Sequence, residues 1–294
     1  MTATPLTLGR SAAIREELDQ ARRRGPLNKL TIPPCPVLLT QLQAAMAEPE
    51  PDLNEVARIA ASDVAMSATL LRTANSPAYA VGQPVQTLGQ AMNRLGLRHT
   101  ADVLTSFMLQ RAIKVDSPHL QRFWERAAKM ATAMAFIARQ LPGMSADLAH
   151  TYGLFCHVGF PVLLQSMRGY GGTLVEARAR RDQSFIATEN ANHRTDHAVV
   201  GALVARVWGL APSLVTAIRL HHDLNALGDD SIEPEVLTLV AAGLVAEQLM
   251  RRHEALEPES DWVAHAPQAL DWLQLSSEDL LLWEEQLFPL YDDL

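Results

Sequence analysis

The residues best suited to chemistry in this chain are histidines in its middle portion. They are His157, His197, the adjacent pair His221 and His222, and the Asp223 that follows them. All fall on or at the ends of expected helices, where a helical bundle can build a metal site from facing side chains. Taken singly, each histidine is more often a hydrogen-bonded core or surface residue than a ligand.

The pair His221 and His222 is the most suggestive part of this pattern. Neighbouring residues on a helix point about 100 degrees apart, so both imidazoles can reach one binuclear centre only near a helix end. The competing interpretation is a solvated helix C-terminus, where a histidine also favours the negative end of the helix dipole.

Other motifs with a defined mechanism are absent from the sequence. It has no GxxxxGK[ST] phosphate loop, no GxGxxG, no GxSxG elbow and no HExxH zinc helix. Gly169, Gly171 and Gly172 around Tyr170 resemble a phosphate loop faintly, and we interpret them as a flexible turn.

Composition limits the classes of partner. The chain has 294 residues, 48% of them apolar, which is enough for one large domain or two modest ones with a sizeable core. With 25 Lys and Arg against 33 Asp and Glu, its formal charge is -8. That charge disfavours a nucleic-acid partner and an anionic membrane surface.

The two cysteines and the lack of long apolar runs bear on location. Cys35 and Cys156 form neither a CxxC pair nor a dense framework, which favours a reducing compartment. We find no signal-peptide pattern and no run of roughly 20 apolar residues. These features predict a cytosolic protein without a membrane span.

Apolar residues recur at three- and four-residue spacing along the chain, while strict alternation is scarce, so the predicted fold is all-α. The expected helices cover about 11–25, 36–46, 63–74, 118–141, 145–158, 161–167, 174–181, 196–208, 213–222 and 234–252, and further helices follow in the tail. The most plausible internal boundary is the stretch from Lys114 to Pro118.

Several motifs resemble the HDOD family. The matching letters are Ile32-Pro33-Pro34-Cys35-Pro36, Asp63, Leu70-Leu71-Arg72, Ala74-Asn75-Ser76, Arg94-Leu95-Gly96-Leu97-Arg98, Phe123-Trp124, Gly153-Leu154-Phe155, Trp208-Gly209-Leu210 and His221-His222. The resemblance covers about residues 27 to 225. It implies an N-terminal helical bundle at 27–114 packed on a degenerate HD-like helical bundle at 115–294, with residues 1–26 as an N-terminal helical extension.

The resemblance also implies that the metal ligands of catalytic HD relatives are largely missing. In those relatives a first His, a His-Asp doublet and a later Asp hold divalent metals, and the binuclear kind adds further histidines. Here the first His position falls at Arg126, the doublet at Cys156 and His157, and the last Asp at or near Gly243. His197, His221 and His222 remain as matched positions.

These substitutions argue against hydrolysis. A hard divalent ion that activates water needs carboxylate oxygen, and the guanidinium of Arg126 would repel such an ion. We therefore expect no enzyme, no catalytic residues, no resident metal and no cofactor. One alternative is a structural or adventitious site for a softer ion such as zinc, held by Cys156, His157 and His197.

The function implied by the resemblance is that of a non-catalytic module in bacterial signal transduction. Its signal would arrive in trans, from a signalling protein partner or a small anionic ligand. The groove expected to be either a relic metal site or a ligand pocket is lined by Arg126, Cys156, His157, His197, His221 and His222. Two alternatives stay open: a metal-dependent phosphohydrolase acting on cyclic dinucleotides or nucleotides, and a sensor of a nucleotide-like ligand.

Overall fold

The computed structural model describes residues 9–23, 26–79, 82–115, 117–180 and 182–292, and its regular secondary structure there is entirely helical. The α-helices are α1 Arg10–Arg23, α2 Val37–Ala47, α3 Leu53–Ala61, α4 Val64–Ala74, α5 Leu88–Leu95, α6 Leu97–Ala112, α7 Phe123–Gln140, α8 Ala146–Phe155, α9 Gly159–Ser166, α10 Tyr170–Ala179, α11 Phe185–His193, α12 His197–Val207, α13 Pro212–Leu220, α14 Pro234–His253, α15 Ser260–Leu273 and α16 Ser277–Asp292. These ranges contain no strand, so the all-α prediction is confirmed.

Two expected helices begin elsewhere. The long helix predicted from 118 starts as α7 at Phe123, because a separate 3-10 turn at Pro118–Leu120 precedes it. The helix predicted from 174 starts earlier, as α10 at Tyr170. The glycine turn expected at 169–172 is therefore confined to Gly169, which has a left-handed φ of 84°. Helix α11 was not predicted. Arg181, the expected end of one helix, lies outside the described residues.

A continuous hydrophobic core runs through the predicted subdomains. It includes Leu18 of α1, Leu104 of α6, Phe155 of α8 and Trp208 after α12, all almost fully buried. Helix α1 packs on α12 and α13. The boundaries at residue 27 and between 114 and 115 stay predictions, and Gly25 and Asp116 beside them lie outside the described residues.

The long helices α7 and α14 are buried on several sides, as their runs of apolar residues suggest. None of the described helices combines the length and the apolar character needed to cross a bilayer.

The elements that carry the histidines meet through a very close approach of α9 and α12. A Cβ atom on Gly159 would lie 2.0 Å from the backbone oxygen of His197. The start of α12 is set by Asp196, whose carboxylate accepts a hydrogen bond from the backbone N–H of Val199 at 2.9 Å. His197 is thereby held as the first residue of its helix, beside the turn that carries His157.

Replacing Gly159 with alanine should lower the free energy of unfolding by about 3 kcal/mol or more, because the new methyl group meets backbone rather than a movable side chain. Gly172 is the matched control. It lies in α10, and a Cβ atom there would have no neighbour within 4 Å, so Gly172→Ala should stabilise by about 0.5–1 kcal/mol. Urea unfolding curves measure both, and unchanged stability in Gly159→Ala would contradict the close contact.

Candidate functional site

Four histidines converge at one point between α8, α12 and α13. The potential ligand atoms of His157, His197, His221 and His222 all lie within 4.8 Å of one another. The Nε2 atom of His197 is 3.2 Å from Nε2 of His221 and 3.1 Å from Nε2 of His222. His197 has no exposed surface and His221 is buried, whereas His157 and His222 are partly exposed.

Two of these imidazoles are backed by carboxylates. Nδ1 of His197 lies 2.7 Å from Oε2 of Glu189, and Nδ1 of His222 lies 2.5 Å from Oδ2 of Asp261. A carboxylate can only accept, so each imidazole donates its Nδ1–H and turns Nε2 towards the centre. A carboxylate or carbonyl behind the imidazole is the usual partner of a metal-binding histidine.

A backbone carbonyl group orients the imidazole of His221 in the same way as the carboxylates orient the other two. Its Nδ1 lies 2.7 Å from the carbonyl oxygen of Ile218, which again can only accept. His221 therefore also donates Nδ1–H and presents Nε2 inward. This geometry is possible because His221 is the C-cap residue of α13 and His222 follows it, as expected for adjacent histidines that share one centre.

Glu189 is a charged residue placed deep in the protein. It comes from α11, has no exposed surface, and accepts a hydrogen bond from the hydroxyl of Tyr170 as well as from His197. Burial raises the pKa of Tyr170, with the charge of Glu189 acting in the same direction. The phenol therefore stays a donor, and the carboxylate is held rigidly.

Burial and neighbouring charges divide the histidines into two groups. Burial lowers the pKa of His157 and of His221 well below the ordinary value, and the other imidazoles add to that effect. Burial also acts against protonation of His222, but the hydrogen bond to Asp261 and its charge raise the pKa of His222 overall. His157 and His221 are thus neutral ligands at neutral pH.

Arg126 is engaged outside the imidazole cluster. Its guanidinium is 2.8 Å from Oε1 of Glu247 and also contacts the carboxylate of Glu254. Burial raises the pKa of Glu247 to about 7, against the opposing charge of Arg126. Arg126 still lies close enough to His157 to help lower the pKa of that imidazole.

Cys156 and Gly243 line a small cavity of about 40 Å³ next to the cluster, together with His157, His221 and His222. Burial raises the pKa of the Cys156 thiol to about 12, so it remains protonated and is a poor ligand. The hydroxyl of Tyr152 is 2.8 Å from where a Cβ atom of residue 243 would stand. An aspartate at position 243 would therefore displace Tyr152.

The donor set does not fit the carboxylate-bridged pair of hard ions of catalytic HD relatives. The family resemblance aligns the imidazole of His157 with the bridging carboxylate of those relatives, and in the structure Tyr152 fills the space over Gly243. Among the described residues, the converging ligand atoms include no carboxylate oxygen. Hard cations such as Mg²⁺ require oxygen ligands.

A second, larger cavity of about 460 Å³ lies on the other side of His222. It is lined in part by Glu17 of α1, by Arg194 and Thr195 before α12, and by Arg219 of α13. The Thr195 hydroxyl is buried and has no hydrogen-bond partner among the described residues. The volume of this cavity falls in the range typical of small-molecule pockets.

The structure brings together only part of the set expected from sequence. His157, His197, His221 and His222 meet, Cys156 lies on the wall of the small cavity, and Arg126 points to its acidic partners. Of the alternative zinc set Cys156, His157 and His197, the two histidines belong to the group of converging imidazoles, and Cys156 lies beside it.

Sequence reasoning missed two acidic residues, Glu189 and Asp261. We expected the centre to lack acidic groups, yet these carboxylates stand directly behind two of its imidazoles. Glu189 lies on the unpredicted helix α11, and Asp261 lies in the loosely matched tail. The N-cap serine Ser184, whose hydroxyl accepts from Ala187 N–H, was the local signal for α11.

Comparison with known proteins identifies the relatives. The family model for the HDOD domain matches residues 32–224. An uncharacterized protein of Treponema pallidum (strain Nichols) is 26% identical over 215 residues, which are 72% of this chain and 42% of that protein. The chain thus spans less than half of that relative's length.

Solved structures share the fold. A protein of Marinobacter aquaeolei VT8, provisionally described as a signal transduction protein, aligns with a TM-score of 0.78 at 20% identity, over 98% of this chain and 65% of that one. A protein of Shewanella amazonensis SB2B, provisionally described as a phosphohydrolase, aligns with a TM-score of 0.69 at 22% identity, over 94% and 93%. At these identities the likeness establishes a common fold.

Replacing Glu189 with leucine should lower the free energy of unfolding by about 3 kcal/mol or more, because the buried Nδ1–H of His197 and hydroxyl of Tyr170 both lose their acceptor. Glu189→Gln keeps a carbonyl acceptor and should cost less. The exposed Glu285 supplies the control, since Glu285→Leu should change stability by less than about 0.5 kcal/mol. Chemical denaturation measures all three, and equal losses at positions 189 and 285 would contradict the buried network.

Proposed function

The chain belongs to the HDOD domain family, and from that premise we propose that it is a non-catalytic regulatory module of bacterial signal transduction. It acts by binding a signalling protein or a small ligand that arrives in trans. The two cysteines are unpaired thiols, which supports the further proposal that it works in the reducing cytosol.

The observation that carries this proposal is the position of the carboxylates around the histidines. Glu189 and Asp261 bind the Nδ1 side of their imidazoles and therefore lie behind the ring of converging nitrogens rather than in it. A bridging carboxylate, which a hydrolytic pair of ions uses to bind and to offset charge, has no counterpart among the described ligand atoms.

Two further contacts support the same conclusion. Tyr152 lies against Gly243, and the family resemblance places the last aspartate of catalytic relatives at or near this residue. Arg126, at the position of their first histidine, is held by Glu247 and Glu254. Restoring a catalytic set would require several coordinated substitutions. The alternative function is that of a metal-dependent phosphohydrolase, because the Shewanella relative is provisionally described as one.

A hydrolysis assay tests the proposal. The purified chain, supplied with Mg²⁺ or Mn²⁺, should turn over cyclic dinucleotides, nucleotides and bis(p-nitrophenyl) phosphate no faster than its His197→Ala variant, because bound hard ions and a polarised water need oxygen ligands that the centre lacks. Metal-dependent turnover that disappears in His197→Ala and persists in the control His119→Ala would establish the enzyme alternative instead.

The small-ligand form of the regulatory function is favoured by the 460 Å³ cavity. The cavity carries the buried hydroxyl of Thr195, which has no hydrogen-bond partner among the described residues, and the guanidinium of Arg194, whereas the guanidinium of Arg219 is paired with Glu17. Arg194 ends α11 as its C-cap residue, with the left-handed φ of 57° that is common at that position. The hydroxyl of Thr195 and the guanidinium of Arg194 together suit an anionic group of a ligand at that end of the cavity.

The small-ligand form of the proposal is tested by thermal unfolding of the protein in the presence of nucleotides, cyclic dinucleotides and inorganic phosphate. A ligand of the cavity should raise Tm by several degrees at concentrations on the order of 100 times Kd. Thr195→Val and Arg194→Ala should reduce that shift, while Arg58→Ala on distant α3 should leave it unchanged. Equal shifts in all the variants would place the ligand elsewhere, and the absence of any shift would leave protein binding as the mode of action.

A further inference from the structure

The converging histidines have a geometry that a relic site would not need to keep. We propose that His157, His197, His221 and His222 bind one divalent transition-metal ion, for which Zn²⁺ is the probe, in a coordinatively closed site. This differs from the hydrolytic pair of ions in catalytic HD relatives in its ligands, in its number of ions and in having no position for a water molecule.

The distances between the inward nitrogens match one tetrahedral ion. With Zn–N bonds of about 2.0–2.1 Å, the nitrogens of a tetrahedral site are about 3.3–3.4 Å apart. The Nε2 atom of His197 lies 3.2 Å and 3.1 Å from Nε2 of His221 and His222. His157 lies in the turn between α8 and α9, and its ligand nitrogen lies within 4.8 Å of those of the other three histidines.

The hydrogen bonds leave this site needing a cation. His197, His221 and His222 all donate Nδ1–H outward, to Glu189, to the Ile218 carbonyl and to Asp261. The Nε2 lone pair of His197 therefore faces those of His221 and His222 across 3.2 Å and 3.1 Å. Nitrogens this close need a proton or a metal ion between them, and a proton bridges only one pair, whereas a metal ion accepts all of these lone pairs at once.

Charge balance supports the same assignment. Four neutral imidazoles leave a divalent ion with its full charge of +2 in a buried setting, where an uncompensated charge is costly. Glu189 and Asp261 supply two negative charges at hydrogen-bond distance from two of the ligands. The ion and these two carboxylates are together neutral.

The ligand type decides the class of ion. A set made of nitrogen alone suits Zn²⁺ and its transition-metal neighbours, whereas Mg²⁺ and Ca²⁺ require oxygen. Four protein ligands fill a tetrahedral zinc site, which is typical of structural rather than catalytic zinc. The ion would join the α8–α9 turn, the start of α12 and the end of α13, and would hold these elements together.

Metal analysis of untagged protein tests the site. After removal of metals with a chelator and dialysis against Zn²⁺, inductively coupled plasma mass spectrometry should find close to one zinc per chain. Zinc should raise Tm by about 5 to 10 °C at free concentrations on the order of 100 times Kd. Asp261→Asn should weaken zinc binding by roughly 10- to 100-fold, because it removes the negative charge behind His222.

Matched variants separate this site from the alternatives. His157→Ala should lose the zinc, while Cys156→Ser and His119→Ala should keep it. Circular dichroism checks that His157→Ala is folded, and His222→Gln serves as the second variant if it is not. With Co²⁺ as the probe, the absorption spectrum should be tetrahedral and should lack a thiolate charge-transfer band.

Zinc retained in both folded His157→Ala and His222→Gln would overturn the proposal, as would the absence of stoichiometric zinc in the wild-type chain. Loss of zinc in Cys156→Ser together with a thiolate band would replace the four-histidine set by one that includes sulfur. These outcomes do not depend on the regulatory function, because zinc uptake is measured without any hydrolysis or signalling assay.

Discussion

The interaction on which the rest of the site depends is the pairing of buried carboxylates with imidazoles, above all Glu189 with His197. Neither side chain has exposed surface, so each needs the other: an unpaired carboxylate there would be strongly unfavourable, and an unpaired imidazole N–H would lose a hydrogen bond. The pairing fixes which nitrogen of His197 carries a proton and where its ring points. Asp261 does the same for His222 from another helix, and the inward nitrogens follow from these two constraints.

Several contacts between helices hold these carboxylate–imidazole pairs in position. The absence of a side chain at Gly159 lets α9 reach the backbone of His197, and Asp196 fixes the first turn of α12. Helix α11 carries Glu189 and α15 carries Asp261, so helices on two sides close over the cluster. Phe160 stacks on His197 with ring centroids 3.9 Å apart and keeps that side of the cluster apolar. His197 and His221 are buried in this arrangement, while His157 and His222 keep some exposed surface and line the adjoining cavities.

The sequence predicted the fold class, the family and the meeting of the histidines, because helical periodicity and the family motifs are local signals. The position of His221 and His222 at a helix end also followed from the geometry of adjacent residues. Glu189 and Asp261 could not be predicted in the same way. Nothing in their neighbouring letters distinguishes a carboxylate that turns inward from one that faces water, and their partners lie eight and 39 residues away. The acidic partners of Arg126 could not be predicted for a related reason, since Glu247 and Glu254 lie in and just after α14, more than 100 residues later.

Side-chain nitrogen NMR of protein labelled with ¹⁵N-histidine tests the central claim most directly, because it reports which ring nitrogen carries a proton. The account predicts that His197, His221 and His222 are each protonated at Nδ1, with Nε2 unprotonated or sharing a single proton, and that added Zn²⁺ shifts the Nε2 resonances of all three. Resonances showing protonated Nε2 and bare Nδ1 in His197 and His222 would contradict it, because the carboxylates would then no longer be what directs these imidazoles towards a common centre.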